Sequence, residues 1–562
     1  MNSDEAVPAA RISAIWCGLA LALATIAAYV GLHDAGFVWD DDAFVTQNPL
    51  IHAPDGLFRF WFTREPPDYF PLTSTVLWFE WRAFGTAAFG YHLVNVLLHA
   101  GSAVLLWRVL LRLRVGGAWI AALLFGLHPV AVESVAWITE LKNALPMTLG
   151  LAALLIWLRW RDSGGAAPFW LANVLFLAAL LAKTSVVALP LVVILLMWWR
   201  NARVTGRDVR GVAPWLLLSL VLGLVTMSYQ SGVAIGDEVV RGDGLLSRVA
   251  IAGQALWFYL FGALAPVGTC FVHPRWSLAA PGVLDFVPLA AWIGLLLVTF
   301  RGRSPLSRGA FVALASYTLL LAPVLGLVDI YFMKFSLVAD HWQYPGLPVI
   351  CAVLGSLAVR VRAPHIRAGI VATTALCFAA LTFRATVPYA SERALFEATV
   401  RCNPSAWLAH FRLGALAADR GRLDRAERHL RAALEQYPDY VKAHFALGRV
   451  LTRSKDWSAA EEQFQRVLGL PGSQPAPVLG ELANLHLAQG ALTKADAHFR
   501  RSIEADPARA NVRNNYASCL VARKQYGEAL GQLDEALRLD PTLQAAQVNR
   551  GRVLALMGGR GE

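Results

Sequence analysis

The chain has 562 residues and a formal net charge of +11, and 56% of its residues are hydrophobic. Only 16% are charged, against about 25% in an ordinary soluble domain, and the mean hydropathy is +0.48. This composition excludes a single soluble globular domain and favours many membrane-spanning segments. The positive charge does not predict nucleic-acid binding, because the arginines cluster in short linkers between apolar runs, which is typical of cytoplasmic loops.

Twelve apolar runs occupy the first part of the chain. The first, at 12–32, is about 20 residues long, which is enough to cross a bilayer and long for a signal-peptide core. No Ala-x-Ala cleavage site follows it directly, so we expect it to be a retained helix. The others lie at 91–111, 117–137, 143–160, 169–183, 185–199, 212–230, 250–268, 284–300, 309–328, 344–361 and 368–386.

Arginine-rich linkers follow every second apolar run, for example at 108–114, 200–210 and 360–367. Because basic loops stay in the cytoplasm, the N-terminus is predicted to be cytoplasmic and the first long loop, 33–88, to lie outside. The run at 250–268 breaks the alternation, so we expect it to be re-entrant or interfacial, with irregular backbone held against protein. The other eleven runs are then predicted to cross the membrane, which places everything after residue 387 outside.

From about residue 390 the composition becomes polar and prolines recur at a regular spacing. The steps are 34, 33, 36 and 34 residues, between Pro404, Pro438, Pro471, Pro507 and Pro541. A 34-residue unit with small and large packing positions, such as Gly448, Ala460 and Phe464, is typical of tetratricopeptide repeats. We therefore predict an all-α chain: a transmembrane helix bundle at 1–389, then an α-solenoid at 390–562 with four repeats and a lone helix of a partial fifth.

The cysteines predict no disulfide framework. Three lie in apolar runs, one in a loop and two in the repeat region: Cys17, Cys351, Cys377, Cys270, Cys402 and Cys519. The last two are several repeats apart on a rod-like array, which is too far for a disulfide. No Cys/His spacing typical of a zinc site occurs either.

Charged residues within the predicted bundle sort to its outer side, and such residues are functional candidates because they are costly in a membrane. They are Asp40, Asp41, Asp42, His128, Glu133, Glu140, Lys142, Lys183, Asp340 and His341. We expect a polar chamber at the outer surface to collect them all, as suits an enzyme acting on a lipid-anchored substrate.

Plainer structural roles stay open for the same residues. The three aspartates could cap a turn or solvate the first loop, and the pair at 340–341 could solvate a short outer turn. Lys183 could extend its ammonium to the membrane interface, and His128 could be a packing histidine between helices. Either glutamate could simply orient Lys142.

The motifs that carry these residues resemble one family. They are Phe37-Val-Trp-Asp-Asp-Asp42 with Asn48-Pro49, Tyr91-His-Leu-Val-Asn-Val-Leu-Leu-His99, His128-Pro-Val-Ala-Val-Glu-Ser-Val-Ala-Trp137, Glu140-Leu-Lys142, Ala182-Lys183 and Val338-Ala-Asp-His-Trp-Gln-Tyr344. The chain is similar over essentially its whole length to the family of transmembrane and tetratricopeptide-repeat proteins related to protein O-mannosyltransferases, with its bacterial relatives.

The resemblance implies a glycosyltransferase bundle of the type that uses lipid-phosphate sugars, with catalytic carboxylates in the first outer loop. The candidates are therefore Asp40, Asp41 and Asp42. Asp41 is favoured as an exposed loop carboxylate, because Asp40-Asp41 aligns best with the family's acidic pair. Lys142 and Lys183 would bind the donor phosphate, and the other polar residues would support them.

The chain also departs from the family pattern near these positions. A basic residue or histidine is expected before Pro71, where Phe70 stands, and Arg and Asp are expected beside Lys142, where Leu141 and Asn143 stand. These departures leave the fold prediction unchanged and bear on the phosphate contacts.

The leading hypothesis is a glycosyltransferase of the bacterial inner membrane that moves a sugar from a polyprenyl-phosphate carrier to a protein or glycan hydroxyl. Its repeats would lie in the periplasm and bind the acceptor or a partner protein in their groove. No cofactor is assigned, and a divalent ion at the aspartates stays open because no complete ligand set can be named. Two alternatives are a polymerase or ligase of surface polysaccharide and a non-enzymatic scaffold that recruits partners through the repeats.

Overall fold

The computed structural model describes residues 3–236, 239–278 and 280–558. These residues form helices and loops without a strand, which confirms the all-α prediction. Two compact units, Met1–Asn403 and Pro404–Glu562, divide the chain. The boundary lies later than the predicted 389/390 because Asn403 donates a hydrogen bond of 3.0 Å to the Val272 carbonyl in the first unit.

All twelve apolar runs are helical. In the described part of the first unit the α-helices are α1 Ser3–Ala28, α2 Pro49–His52, α3 Gly56–Phe62, α4 Pro71–Phe84, α5 Ala88–Arg112, α6 Ala118–Gly126, α7 Val132–Ala136, α8 Leu141–Ser163, α9 Ala166–Ala182, α10 Leu189–Asn201, α11 Gly206–Tyr229, α12 Leu245–Leu264, α13 Val287–Arg301, α14 Pro305–Leu321, α15 Leu347–Ala358, α16 Pro364–Thr386 and α17 Glu392–Cys402. Among the described residues, eight helical segments are long and apolar enough to cross a membrane, or nine if the bent pair α6–α7 is one span. The chain is therefore built as a membrane protein.

The run that was expected to have irregular backbone is instead a continuous helix, α12. Arg248 near its start forms an ion pair with Asp329 at 2.7 Å, and a carbonyl near its end lies 2.9 Å from the His128 ring. The segments that hold both partners also pack against the ring of Trp39 in the first long loop. Since α12 is itself one of the eight segments that are long and apolar enough to cross a membrane, its interfacial course and the number of crossings stay predictions.

Helix α8 lies in the interior of the first unit, in contact with α5 and α9. Near its C-terminal end Trp157 is fully buried beside Trp215, whose ring stacks on Phe176 at 4.3 Å. Elsewhere α6 and α15 cross so closely that a Cβ at Gly355 would lie 2.7 Å from the Gly117 carbonyl oxygen. Small residues at such crossings let helix backbones approach, as is usual in membrane bundles.

Cys270 and Cys402 form a disulfide, so the prediction of no disulfide was wrong. The sequence argument compared Cys402 with Cys519 along the repeats. It did not pair Cys402 with Cys270, which lies in the loop after α12. The fold brings this loop to α17, so the Cα atoms of Cys270 and Cys402 are 6.1 Å apart. The other four cysteines are free.

The second unit contains four antiparallel helix pairs and a final single helix, as the proline spacing predicts. They are α18 Trp407–Asp419, α19 Leu423–Gln436, α20 Val441–Arg453, α21 Trp457–Gly469, α22 Pro475–Ala488, α23 Leu492–Ala505, α24 Ala510–Ala522, α25 Tyr526–Leu539 and α26 Gln544–Gly558. Gly448 shows why the small positions recur, because a Cβ there would lie 2.6 Å from the buried Phe464 ring. The last residues predicted for the capping helix, 559–562, lie outside the described residues.

Candidate active site

The three aspartates follow a strained residue. Trp39 has φ of +48°, a left-handed conformation that costs about 1–3 kcal/mol for a bulky side chain and often marks a functional segment. Its ring is held among Trp137, Phe271 and Phe335. The turn gives consecutive aspartate side chains different surroundings, so the three can be distinguished.

Asp41 is completely buried and bonded to backbone. One carboxylate oxygen accepts a hydrogen bond from the Val38 N–H at 2.8 Å, and the other accepts from the Thr139 N–H at 3.0 Å. Burial and the neighbouring Asp40 raise the pKa of Asp41, and the two backbone hydrogen bonds oppose that rise. The expectation that Asp41 is exposed was therefore wrong. The Asp41 carboxylate ties the first loop to the segment before α8.

Asp40 faces the polar cluster. Its Oδ1 accepts a hydrogen bond from the Thr139 hydroxyl at 2.8 Å, and its Oδ2 lies 3.8 Å from Nζ of Lys142. The side chain is 21% exposed. Burial raises the pKa of Asp40, although Lys142 and Thr139 oppose it. A partly accessible carboxylate with a raised pKa is a stronger base than an ordinary aspartate.

Asp42 belongs to a different local structure. It begins the helical turn Asp42–Thr46, and its Oδ1 accepts a hydrogen bond from the Thr46 hydroxyl at 3.1 Å. This contact joins two side chains within one turn and is not a cap, because the residue that precedes the turn is Asp41 and it makes no capping hydrogen bond.

Lys142 and Lys183 converge on one carboxylate. Nζ of Lys142 lies 3.3 Å from Oε1 of Glu140, and Nζ of Lys183 lies 3.9 Å from Oε2. Both lysine side chains are largely buried, at 12% and 19% exposure. Lys183 therefore does not simply extend to the membrane interface, and Glu140 orients both ammonium groups.

Asn143 links this cluster to a second one. Its Oδ1 accepts a hydrogen bond from Nζ of Lys183 at 2.8 Å. Its Nδ2 donates to Glu140, to the Ser134 hydroxyl at 3.3 Å and to the His341 carbonyl at 3.2 Å. One amide in the first turn of α8 thus positions Lys183 and Glu140.

The second cluster contains two buried carboxylate–histidine pairs. Glu133 accepts from the His341 backbone N–H at 3.0 Å and lies 2.8 Å from the Nδ1 of its ring. Asp340 lies 3.1 Å from Nε2 of His273 and accepts from the Cys270 N–H at 3.1 Å. The possibility that residues 340–341 solvate a turn is therefore wrong, since both are buried.

His128 lies apart from both clusters. Its Nε2 is 2.9 Å from the Ala263 carbonyl, and its ring meets Phe378 edge-on. The packing role fits these contacts, so the prediction of one chamber that holds all ten residues was wrong.

Two separate cavities adjoin the lysine cluster. Lys142 lines a small cavity together with Thr139, Phe44 and Asp68. Asn143 lines an apolar cavity between α5, α8, α10, α14 and α15, which continues to Arg360 at the opposite end of the bundle. Within the described ranges, no group of three or more His, Cys, Asp or Glu residues could hold a metal ion.

Sequence reasoning missed Asp68, Thr139 and His273. Burial raises the pKa of Asp68, and the two lysines of the cluster oppose it. Asp68 follows two prolines in a loop, so no periodicity marked it. Asn143 appeared only as a departure from a motif, although its position three residues after Glu140 on a helix was a usable signal.

The arrangement combines a base with cations. Asp40 can accept a proton, while Lys142 and Lys183 can stabilise negative charge that develops a few ångströms away. An apolar cavity that begins at Asn143 can hold a hydrocarbon chain. These features fit the transfer of a group from an amphipathic anionic donor.

The fold and the site define a polytopic membrane protein that carries tetratricopeptide repeats. The family model for the tetratricopeptide repeat matches residues 390–427, 416–475 and 481–543. Solved repeat proteins align only with low TM-scores: 0.24 for YrrB, a TPR protein with an unusual peptide-binding site, at 21% identity over 29% of this chain and 84% of that one. TTC0263 of Thermus thermophilus scores 0.27 at 18% identity, over 32% of this chain and 94% of its own.

Curated relatives cover most of the chain. "Protein O-mannosyl-transferase F38B6.6" of Caenorhabditis elegans is 22% identical over 74% of this chain, and "Protein O-mannosyl-transferase Tmtc3" of Drosophila melanogaster is 23% identical over 90%. The chain spans 62% and 65% of these two relatives. Human "Protein O-mannosyl-transferase TMTC4" is 29% identical over 31% of this chain and 28% of its own length. The chain is a TMTC-like tetratricopeptide-repeat protein.

Proposed function

We propose that the chain is a membrane glycosyltransferase that moves a sugar from a polyprenyl-phosphate carrier to a hydroxyl group of a protein or glycan. One observation carries the proposal: Asp40, Lys142 and Lys183 gather around Glu140 next to an apolar cavity. The relatives are named O-mannosyl-transferases, so mannose is the first sugar to test.

The lysines and the cavity would share the donor. Lys142 and Lys183 would bind its phosphate as compact point charges, and the isoprenoid chain would occupy the apolar cavity that runs from Asn143 to Arg360. Both lysines now contact Glu140 at the long distances of 3.3 and 3.9 Å. Each ammonium has three N–H donors, so both lysines can bind an incoming phosphate while they keep the buried carboxylate of Glu140 paired.

The chemical step follows from the same groups. The carboxylate of Asp40 takes the proton of the acceptor hydroxyl, whose oxygen forms a bond to the anomeric carbon of the sugar. The bond between that carbon and the phosphate oxygen breaks, and the polyprenyl phosphate leaves with the electron pair. Lys142 and Lys183 stabilise the charge on the departing phosphate.

The reaction would take place on the outer face of a bacterial inner membrane, with the N-terminus in the cytoplasm and the repeats in the periplasm. The Cys270–Cys402 disulfide supports this side, because disulfides persist in oxidising compartments such as the periplasm. A cysteine introduced at Asp55 should react with an impermeant maleimide in intact spheroplasts, and one at Gly206 should not. Equal labelling of both would contradict the orientation.

The catalytic proposal is tested with the purified full chain in lipid nanodiscs. Polyprenyl-phosphate mannose and other labelled polyprenyl-phosphate sugars are supplied with a serine- and threonine-containing peptide. We expect one donor to be consumed and its label to appear on the peptide. If no donor is consumed, or if Asp40→Asn consumes it at the wild-type rate, the proposal fails.

A further inference from the structure

The Cys270–Cys402 disulfide joins two segments of the first unit beside the candidate active site. Cys270 lies in the loop after α12 and is 6% exposed, whereas Cys402 is the last residue of α17 and is exposed. Both cysteines line a cavity of about 70 Å³ together with Glu133 and Asp340. A thiol from solution therefore reaches Cys402 before Cys270, and the cavity gives two released cysteines room to separate.

Residues 270–273, here called the clamp loop, hold one end of the second polar cluster. The Cys270 N–H donates to one carboxylate oxygen of Asp340 at 3.1 Å. The other oxygen of the same carboxylate lies 3.1 Å from Nε2 of His273. The position of Asp340 therefore depends on the residue that forms the disulfide.

The clamp loop also contacts the surroundings of the candidate base through one aromatic ring. The Phe271 ring lies 5.2 Å from the ring of Trp39 and 5.3 Å from that of Trp137. Trp39 has φ of +48° and directly precedes Asp40, while Nζ of Lys142 lies 5.1 Å from the centroid of the Trp137 ring. A displacement of Phe271 therefore disturbs both Asp40 and Lys142.

Two weaker contacts also join the clamp loop to the end of α17. Asn403 donates to the Val272 carbonyl at 3.0 Å, and the rings of Phe271 and Phe396 lie 6.1 Å apart. A disulfide between residues 132 positions apart restricts the chain far more than one hydrogen bond does. Reduction would therefore loosen the clamp loop, while the weaker contacts keep the two thiols close enough to form the bond again.

We propose that Cys402 is a site of thiol–disulfide exchange, and that the redox state of the Cys270–Cys402 bond controls the transferase site. The partner is a dithiol, such as the Cys-x-x-Cys pair of a thiol–disulfide oxidoreductase. The oxidised chain is the active form, because only there does the clamp loop hold the aromatic rings around the candidate base and lysine. The control of activity rests on the proposed glycosyltransferase function, whereas exchange at Cys402 does not.

The exchange takes two steps. One thiolate of the dithiol attacks Sγ of Cys402 and forms a mixed disulfide, and Cys270 leaves with the electron pair and takes a proton. The second thiol of the dithiol loses its proton and attacks the partner sulfur of the mixed disulfide, so that Cys402 leaves as a thiolate and is protonated. Two electrons have then passed from the dithiol, which becomes a disulfide, to the two cysteines of the chain.

The first measurement identifies the attacked sulfur and needs no sugar donor. The full chain in nanodiscs is treated with dithiothreitol without denaturant, and the released thiols are labelled with a maleimide and located by mass spectrometry. We expect the bond to be reduced in the folded chain. Without reductant, the Cys402 thiol of Cys270→Ser should react at least about tenfold faster than the Cys270 thiol of Cys402→Ser, because reactivity follows exposure. A bond that opens only in denaturant, or equal labelling rates, would overturn the exchange site.

The second measurement follows the consequence of reduction by backbone hydrogen exchange and by consumption of the polyprenyl-phosphate sugar. We expect faster hydrogen exchange at 39–42 and 270–273 in the reduced chain. Donor consumption should be at least about tenfold slower, because small displacements of catalytic groups are costly, and reoxidation should restore both. Cys377→Ser removes an exposed free cysteine and is the matched control, which should respond as wild type does.

The outcomes separate the redox control from the proposed function. Redox-dependent hydrogen exchange at 39–42 in a chain that consumes no donor would keep the control of the loop and remove the proposed function. Equal donor consumption by the oxidised and reduced forms would remove the redox control and leave the proposed function. Global unfolding on reduction, or unchanged hydrogen exchange at 39–42, would also overturn the redox control.

Discussion

The two ends of α8 use charge in different ways. At its C-terminal end Asp162 pairs with Arg112 at 3.1 Å and Arg200 at 3.3 Å, and Arg161 pairs with Asp208 at 2.9 Å. At its N-terminal end Lys142 and Lys183 share Glu140 at 3.3 and 3.9 Å, and these two lysines are less exposed than the three arginines.

The difference lies in the choice of cation. Arginine has a planar fork that keeps its charge and binds carboxylates bidentately, which suits permanent contacts between helices. Lysine is a compact ammonium on a flexible stem, and it can exchange a carboxylate partner for another anion. The C-terminal end of α8 therefore anchors neighbouring helices, whereas its N-terminal end is suited to an anion that comes and goes.

The largest expected effect is a difference in transfer rate between variants at the two ends of α8. Asp40→Asn should lower the transfer rate by about 10²–10⁴-fold, the usual contribution of a general base, while its amide oxygen keeps the contact with Thr139. Initial rates at saturating donor give the measurement. Asp162→Asn, at the other end of α8, should transfer the sugar at the wild-type rate per folded molecule. An equal loss of transfer rate in both variants would contradict the proposed difference between the two ends of α8.

Asn143→Ala should lower kcat/KM by about tenfold, because misplacement of a phosphate-binding group by a fraction of an ångström is costly. The variant removes the Asn143 Oδ1 acceptor, which lies 2.8 Å from Nζ of Lys183. Asn173→Ala removes another buried amide, bonded only locally to the Phe169 carbonyl at 2.8 Å, and should have no effect on kinetics. Unchanged kinetics in Asn143→Ala would remove its positioning role.

Asp41→Asn should lower the free energy of unfolding by about 1–3 kcal/mol, since its amide N–H₂ would face a backbone N–H that now has an acceptor. Thermal unfolding of the purified chain measures the loss. Asp42→Asn should change stability by less than about 0.5 kcal/mol, as expected for a partly exposed side chain. If Asp41→Asn is as stable as wild type but inactive, the assignments of Asp40 and Asp41 must be exchanged.

The smallest expected effect depends on pH. Burial lowers the pKa of His273, but its ion pair with Asp340, helped by Glu133, more than offsets this, so the pKa is raised above 6.5. A raised histidine pKa stabilises the fold fully below the unfolded value of about 6.5, and the contribution is lost as pH rises through the folded value. Wild type should therefore lose more thermal stability than His273→Gln between pH 6 and 9. Parallel pH profiles would contradict this.

Periodic features could be predicted from the sequence, because they depend on local spacing. The proline steps predicted the paired helices of the repeat unit, and the apolar runs predicted the long apolar helices of the bundle. Lys142 and Glu140 could be placed together because they are two residues apart in the chain. The interfacial position predicted for α12 stays a prediction, because the helix is also long and apolar enough to cross a membrane.

Features that depend on long-range contacts could not be predicted. Asp40 and Asp41 are chemically identical neighbours, and Thr139, about a hundred residues later, distinguishes them: its backbone N–H donates to Asp41 and its hydroxyl donates to Asp40. Cys270 and Cys402 lie 132 residues apart, and they meet because the fold brings the loop after α12 to the end of α17. The link from Asn143 to His341 likewise joins residues that no spacing rule connects.

The most direct test of the contrast between the ends of α8 is the binding of polyprenyl phosphate, measured by native mass spectrometry. Three forms of the full chain are compared: wild type, the Lys142→Ala/Lys183→Ala double variant, and Asp162→Asn. We expect wild type and Asp162→Asn to bind the carrier equally and the double lysine variant to lose it. Carrier binding that survives in the folded double variant would contradict the assignment of the donor site.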